Sequence, residues 1–338
     1  MGRNLKKEIK MEKRSLGTNG PRVSAIGLGC MGMSEFYGPT NDATSKKVIL
    51  SALENGVTLL DTADTYGDGH NERLIADALK DWGQEVCIAT KFGIVRRPGS
   101  YERQICGGAD YVKKALERSL KNLKIEAIDL YYVHRIDTRI PIEETVGAMA
   151  DLVGEGKIKY IGLSEPSAET VLKAHAVHPI SCIQSEYSLF TRQIETSLLP
   201  ALRENGIGFV PYCPLGRGLL TGKLTRESME DAKDFRKYLP RTGNENYNEN
   251  MRLVYGLKEI ADSKAITLAQ LALAWVLSKG DDMVPIPGTR TQKYLLENIE
   301  SIKIKLDDQD IQKIEAVCYP DAVKGQRYTP EGMKGVNC

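Results

Sequence analysis

The sequence predicts an α/β protein built as a closed barrel of eight parallel strands, each followed by a helix. Three observations carry that prediction. Short β-rich runs alternate with amphipathic helical runs eight times over, the count at which a parallel sheet closes on itself. The strand candidates are nearly continuous apolar runs, as strands covered on both faces are. The helical runs keep a helical period: in ADYVKKALERSLKNLK, Val112, Leu116, Leu120 and Leu123 fall on one face.

Residues 1–11 are charged and have no apolar stretch behind them, so they read as a frayed extension and not as a signal peptide. Residues 12–338 read as a single domain. It opens with KRSLGTNGPRVSA, where a Thr-Asn-Gly turn between two short β runs predicts a hairpin ahead of the barrel. Strands are predicted over 26–30, 57–62, 86–91, 127–134, 160–164, 181–187, 207–213 and 283–288. Helices are predicted near 44–55, 71–81, 110–124, 142–155, 167–177, 194–205, 250–278 and 291–300. Residues 216–249 form a long polar insertion after the seventh strand, the kind of loop that serves as a lid or mobile cover. The tail beyond 305 holds one acid-started helix, LDDQDIQKIEAV, and then a polar end.

Composition narrows the function classes. Of the 338 residues 41% are hydrophobic, enough for a sizeable core. Lys and Arg number 46 against 45 Asp and Glu, so neither nucleic acid nor an anionic membrane is expected as a bulk partner. The longest apolar run, TLAQLALAWVLS, carries Gln270 and reads as a buried helix, too short for a membrane span. Seven cysteines, odd in number and without a C-x-x-C, suggest reduced thiols in a cytoplasmic protein.

In AIGLGCMGMS, Gly27, Gly29 and Gly32 spell G-x-G-x-x-G after an apolar run. A Rossmann turn needs a helix opening at the third glycine and an acid about 20 residues on. Gly38 and Pro39 break any such helix, and Lys47 stands where the acid belongs. The stretch reads as the Gly-rich end of the first strand, on the rim where barrels keep their active sites.

The other strand ends carry polar residues. Asp61 ends the second strand with Tyr66 five residues on, Lys91 ends the third and His134 the fourth. Ser164, Gln184 and Tyr212 follow on the fifth, sixth and seventh. Lysine and aspartate are tolerated inside a core only when paired. Together the first four residues suit carbonyl reduction by hydride. A tyrosine can supply the proton, and its ordinary pKa of about 10 falls when an ammonium stands beside the phenol. Asp61 holds Lys91 charged, and a neutral His134 can orient the carbonyl oxygen or share in the proton relay.

The blocks LLDTADTYGDGHNE, IATKFG, IDLYYVHRID, GKIKYIGLSE, IQSEYSLF, PYCPLGRGLLTGK and IPGTRTQKYLLENI, in that order, resemble the aldo-keto reductases along residues 12–318. HRID and GLSE are most similar to the branch with perakine-reductase-like and auxin-induced-protein-like enzymes. The resemblance implies a TIM (β/α)8 barrel that binds NADPH/NADP+ extended across the rim, without a Rossmann domain. It implies Tyr66 as general acid helped by Lys91, Asp61 pairing Lys91, and His134 facing the carbonyl of a small aldehyde or ketone. It further implies Met31 near the nicotinamide, Ser164 and Gln184 on its carboxamide, and Tyr212 stacked under its ring. Pro214, Leu215, Gly216, Arg217 and Gly218 would wrap the pyrophosphate. Gly288, Thr289 and Arg290 would meet the 2′-phosphate, with Glu297 and Asn298 near the adenine. The substrate pocket would take its shape from residues near Met31, Tyr37, Phe92 and Arg135 and from the long insertion.

Two positions depart from the family pattern. Glu165 stands where an Asn often follows the strand-five Ser, and it offers no amide donor. Tyr294 stands where an Arg often lies against the adenine; it can stack but adds no charge, leaving Arg290, with Lys293, for the 2′-phosphate. Two other function classes compete. One is a cofactor-binding regulatory subunit with slow turnover. The other is a metal-dependent barrel hydrolase using Asp61, Asp64, His70 and His134, disfavoured by a lysine that would repel a cation and by the missing metal-ligand spacing. No metal is expected, and the sequence leaves the oligomeric state open.

Overall fold

The structure, a computed structural model, describes residues 11–96 and 102–338; the expected frayed extension lies, but for its last residue, outside the described residues. The chain enters as the antiparallel hairpin β1 (Lys13–Ser15) and β2 (Arg22–Ser24), with Arg14 opposite Val23. The parallel barrel strands are β3 (Leu28–Gly29), β4 (Leu59–Asp61), β5 (Cys87–Phe92), then β8 (Ile128–Val133), β9 (Ile158–Ser164), β10 (Cys182–Glu186) and β11 (Gly208–Tyr212). Between β5 and β8 an unexpected antiparallel pair, β6 (Ile94–Arg96) and β7 (Arg103–Ile105), rises from the rim. The sheet runs in the order β11-β10-β9-β8-β5-β4-β3.

Strand alternation divides the core in two. Leu59, Ala89, Leu130, Tyr132, Cys182 and Val210 point into the barrel and meet Leu16 and Val23 of the hairpin, which plugs its floor. Their neighbours, such as Leu60, Ile88, Tyr131, Ile161 and Phe209, point outward against the helices. Because the side-chain period is two, the next inward residue toward each strand's C-terminal end is polar: Asp61, Lys91, Ser164, Gln184. Gly162 makes room in this stack; a Cβ there would stand 2.4 Å from the Tyr132 ring.

The eighth strand exists in position but not in form. Residues 283–288 close the barrel through two isolated bridges, Phe209 to Met283 and Gly29 to Gly288. The amides of Val284 and Ile286 donate to Phe209 and Pro211, while the carbonyls of Pro285 and Pro287 accept from Gly27 and Gly29 at 2.9 and 3.3 Å. Proline has no N–H, so the ladder toward β3 keeps only half its bonds. The glycines of the AIGLGC stretch serve this closure: a Cβ at Gly29 would stand 2.7 Å from the Ile286 carbonyl. No helix opens at Gly32; a 3-10 turn, Met31–Met33, follows instead.

The helices match the predicted runs to within one or two residues: α1 (Asp42–Glu54), α2 (His70–Leu79), α3 (Ala109–Leu123), α4 (Ile142–Gly154) and α5 (Ala168–Val177). The sixth begins later than expected, a 3-10 turn at Gln193–Glu195 preceding α6 (Leu198–Glu204). The run read as one helix over 250–278 is two, α7 (Asn244–Ser263) and α8 (Leu268–Ser278), bent by 88°. Ala265 takes φ 53 at the break, and Thr267 with Gln270 forms a capping box that starts α8. The 216–249 insertion is not an open loop but a chain of 3-10 turns, with α7 starting inside it. Then come α9 (Gln292–Glu300) and α10 (Asp308–Val317). The expected polar end after α10 instead folds back onto the rim, where the Cys338 carbonyl accepts from the Ser167 amide.

Two glycines test this packing. Gly162→Ala should destabilise by about 2 kcal/mol through overpacking against Tyr132. In α4, Gly147→Ala, whose Cβ would meet nothing within 4 Å, should stabilise by roughly 0.5–1 kcal/mol. Thermal melts of both variants decide whether the interior is as tight at one position and as open at the other.

Candidate active site

The barrel's inward polar layer brings three residues from separate strands together. Lys91 is fully buried, and its ammonium donates to Asp61 Oδ1 at 2.6 Å, to the Thr62 carbonyl at 2.6 Å and to the Tyr66 hydroxyl at 3.5 Å. Three donors meet three acceptors. Asp61 turns its other oxygen to Gln184 Nε2 at 2.6 Å. A carboxylate only accepts, which fixes the Gln184 amide and leaves its Oε1 without a partner among the described residues. Burial pushes the Asp61 carboxyl up and the Lys91 ammonium down, and the charge of each resists the shift of the other.

Tyr66 arrives from the turn after β4, whose backbone is tied to β5 through Thr62 to Ala89 and Asp64 to Lys91. Its ring lies edge-on to His134 at 5.8 Å. Burial and then Asp61 push the phenol above its ordinary 10.0, while Arg135 pulls against them. The acidification expected from Lys91 is not found, and Tyr66 holds its proton. His134 follows β8, its amide donating to the Phe92 carbonyl at 2.7 Å. Burial, then Arg135 and Lys91, push the imidazole well below 6.5, so it is neutral, and its Nδ1 has no hydrogen-bond partner among the described residues.

Above this group a cavity of about 370 Å³ runs along the rim. Asp61, Tyr66 and His134 line it, as do Met31, Ser164, Gln184 and Tyr212. So do Pro214, Leu215, Arg217 and Gly218 from the loop after β11, and Gly288, Thr289 and Arg290 from the closing segment. Lys91 lies beneath it. Gly216, Glu297 and Asn298 do not line it. Gly216 turns under the loop at φ 54, Glu297 lies 3.7 Å from Lys223, and Asn298 is buried under α9. Phe92, expected to shape the pocket, points outward and stacks on Tyr131 at 4.8 Å; its register on β5 is one residue off the inward Lys91.

Glu165, the departure after Ser164, anchors a layer the sequence did not reveal. At φ 60 it turns inward, accepts from Tyr212 Oη at 2.6 Å, and takes both ends of the Arg327 guanidinium at 2.8 and 2.6 Å. Tyr328 comes with Arg327, its hydroxyl 3.0 Å from Tyr212. Arg217, expected on a pyrophosphate, lies 4.0 Å from the Tyr328 ring centre and donates to Glu186 at 2.5 Å. Burial works to raise Glu186, but Arg217 and Arg241 outweigh it and hold the carboxyl down at about 2. The tail residues had no periodic signal. The one clue was Glu165 itself, since an acid at a buried strand end demands a cation. Arg96, paired with Glu35, and Arg236, paired with Asp234 at 2.5 Å, also line the cavity unannounced.

A model of the aldo/keto reductase family matches residues 25–318. The chain is 46% identical over 324 residues to a Glycine max protein named probable aldo-keto reductase 1, covering 95% of this chain and 93% of that one. It is 45% identical over 327 residues to the Schizosaccharomyces pombe aldo-keto reductase yakc, whose name carries NADP(+), covering 95% and 96%. Among solved structures, the glycerol dehydrogenase of Gluconobacter oxydans superimposes with a TM-score of 0.83 at 26% identity, over 93% of this chain and 98% of that one. An aldo-keto reductase from Bacillus halodurans in its holo form gives 0.78 at 29%, over 94% and 99%.

Removing the tail's anchor should loosen the rim. Arg327→Leu strands Glu165, which is 3% exposed, and should lower stability by about 3 kcal/mol. Limited proteolysis should then cut after α10 in the variant and not in the parent.

Proposed function

The chain belongs to the aldo/keto reductase family, and from that premise we propose that it reduces aldehyde or ketone carbonyls to alcohols with NADPH, using Tyr66 as the proton donor. It is an oxidoreductase of the NADP(+)-using kind; the reductive direction and the residue roles are our reading. The observation that carries it is the Tyr66 hydroxyl within 3.5 Å of a fully buried ammonium and beside a neutral imidazole, all at one cavity.

The residues at the rim fit the cofactor. Arg290 donates to the Pro39 carbonyl at 2.6 Å, has no carboxylate within ion-pair distance among the described residues, and is pushed down by burial and by Arg236. An anion there would relieve both pressures, and α9 opens beside it with Thr291 as its cap. The unpartnered Gln184 Oε1 and the Ser164 hydroxyl suit an amide group. Thus Met31, Ser164, Gln184 and Tyr212 would hold the nicotinamide end, and Pro214, Leu215, Gly218, Gly288, Thr289 and Arg290 the phosphates. Arg217 would act through its neighbours, being engaged with Glu186. Gly216, Glu297 and Asn298 would support the loop and helix that carry these contacts.

When bound, NADPH supplies the hydride to the carbonyl carbon. The carbonyl π pair then moves to oxygen, which takes the Tyr66 proton. A phenol held above its ordinary value keeps that proton until an alkoxide, a far stronger base, forms. Lys91 steadies the phenolate left behind, and Asp61 keeps Lys91 in place. His134 orients the carbonyl oxygen from the other side. Seven unpaired thiols support a reducing, cytoplasmic setting.

Tyr66→Phe should bind NADPH as the parent does, by fluorescence titration, yet lose roughly 10²–10⁴-fold in reduction of 4-nitrobenzaldehyde. Near-parental turnover would remove Tyr66 as donor, and absence of turnover in the parent would favour the regulatory subunit. Arg290→Ala should raise the KM for NADPH by about tenfold or more and leave that for NADH little changed; equal effects would remove the 2′-phosphate role.

A further inference from the structure

Arg135 is a buried charge with no ion-pair partner among the described residues. It follows His134 at the end of β8 and is 4% exposed. Burying a guanidinium is unfavourable unless a carboxylate meets it. The other buried arginines obey this rule: Arg14 reaches Asp281 at 3.4 Å, Arg192 reaches Glu195 at 2.9 Å, and Arg241 reaches Glu186 at 3.2 Å. Arg135 has no carboxylate within ion-pair distance among the described residues. Its Nη1 donates to the His134 carbonyl at 2.7 Å and to Ser164 Oγ at 3.2 Å, and its Nε is buried with no partner among the described residues. The nearby carboxylates are already engaged, Asp61 by Lys91, Glu35 by Arg96 and Glu165 by Arg327. Yet the side chain lines the same cavity as Tyr66 and His134.

A ligand entering the cavity can supply the direct ion-pair partner that the described residues do not. Resting on the reductase reading, we propose that Arg135 anchors an acidic group of the substrate, so that the preferred substrates are aldehydes or ketones carrying a carboxylate. The carboxylate would sit at Arg135 while the carbonyl oxygen meets Tyr66 and His134. A planar guanidinium with unengaged donors matches a carboxylate in shape as well as charge. Burial of the guanidinium lowers the local dielectric and strengthens the attraction. An arginine serving only as a brace for the His134 carbonyl would not discriminate substrates by charge.

The test compares 4-carboxybenzaldehyde with its methyl ester, which share a ring and an aldehyde, in the NADPH-loaded protein and in Arg135→Gln and Arg135→Lys. The parent should favour the acid in kcat/KM by roughly tenfold or more. Arg135→Gln should collapse that ratio, mainly through the KM of the acid, and Arg135→Lys should restore part of it. A parental ratio near one, or a ratio that Arg135→Gln leaves intact, overturns the anchor while turnover of the ester still upholds the reductase reading. If neither aldehyde is reduced, and 4-nitrobenzaldehyde is not reduced either, the reductase reading fails. The anchor is then judged by calorimetry with benzoate against benzamide: tighter benzoate binding, lost in Arg135→Gln, supports it and equal binding refutes it. Should Arg135→Gln not fold, the same benzoate-to-benzamide comparison on the parent decides.

Discussion

Holding one ammonium in its charged form inside a barrel is the constraint from which the rest of the rim follows. Lys91 is wholly out of contact with water, and an ion so placed is penalised by several kcal/mol unless its partners are complete. The neighbouring strand must therefore end in a carboxylate at the same height, the turn after it must offer a carbonyl, and the sheet's far side must steady the carboxylate. Asp61, Thr62 and Gln184 do these things. Tyr66 then has one place to go, over the ammonium, and His134 closes the other side. The apolar layer just below, from Leu59 to Val210, keeps water from relaxing the pair from beneath.

Most of this was legible because the side-chain period of a strand is rigid. Once an apolar run is taken as a strand with its C-terminal end at the rim, its last inward residue is determined, and Asp61, Lys91, Ser164 and Gln184 follow. Phe92 fails by the same rule, being one step out of phase. Other features were hidden for physical reasons. The apolar period runs through the junction of α7 and α8, so only the Thr267–Gln270 cap marked the break. Arg327 and Tyr328 sit in a polar run with no period, and their position is set by Glu165, more than a hundred residues away. Glu297 and Asn298 lie on faces of α9 turned from the cavity, which a motif alone does not reveal.

Charge is organised in depth. Around and beneath the cavity, Glu165 and Glu186 are matched by Arg327, Arg217 and Arg241, and Arg135 and Arg290 stand at the cavity with no carboxylate within ion-pair distance among the described residues. The balance along the rim is positive in a chain whose net charge is only +1. Such a field favours anions in the groove without making the whole protein basic. The departure at Glu165 thus exchanges a neutral amide for a carboxylate and recruits the tail to neutralise it.

The closing segment has one more consequence. With Pro285 and Pro287 lacking amide donors, the join between the last and first strands is sparsely stitched. Local opening favours lines where hydrogen bonds are sparse, so the wall should breathe along this seam. Met31 and Gly288 stand on opposite lips of it, and a long ligand lying across both would act as a clasp, coupling occupancy of the groove to the stiffness of the entire wall.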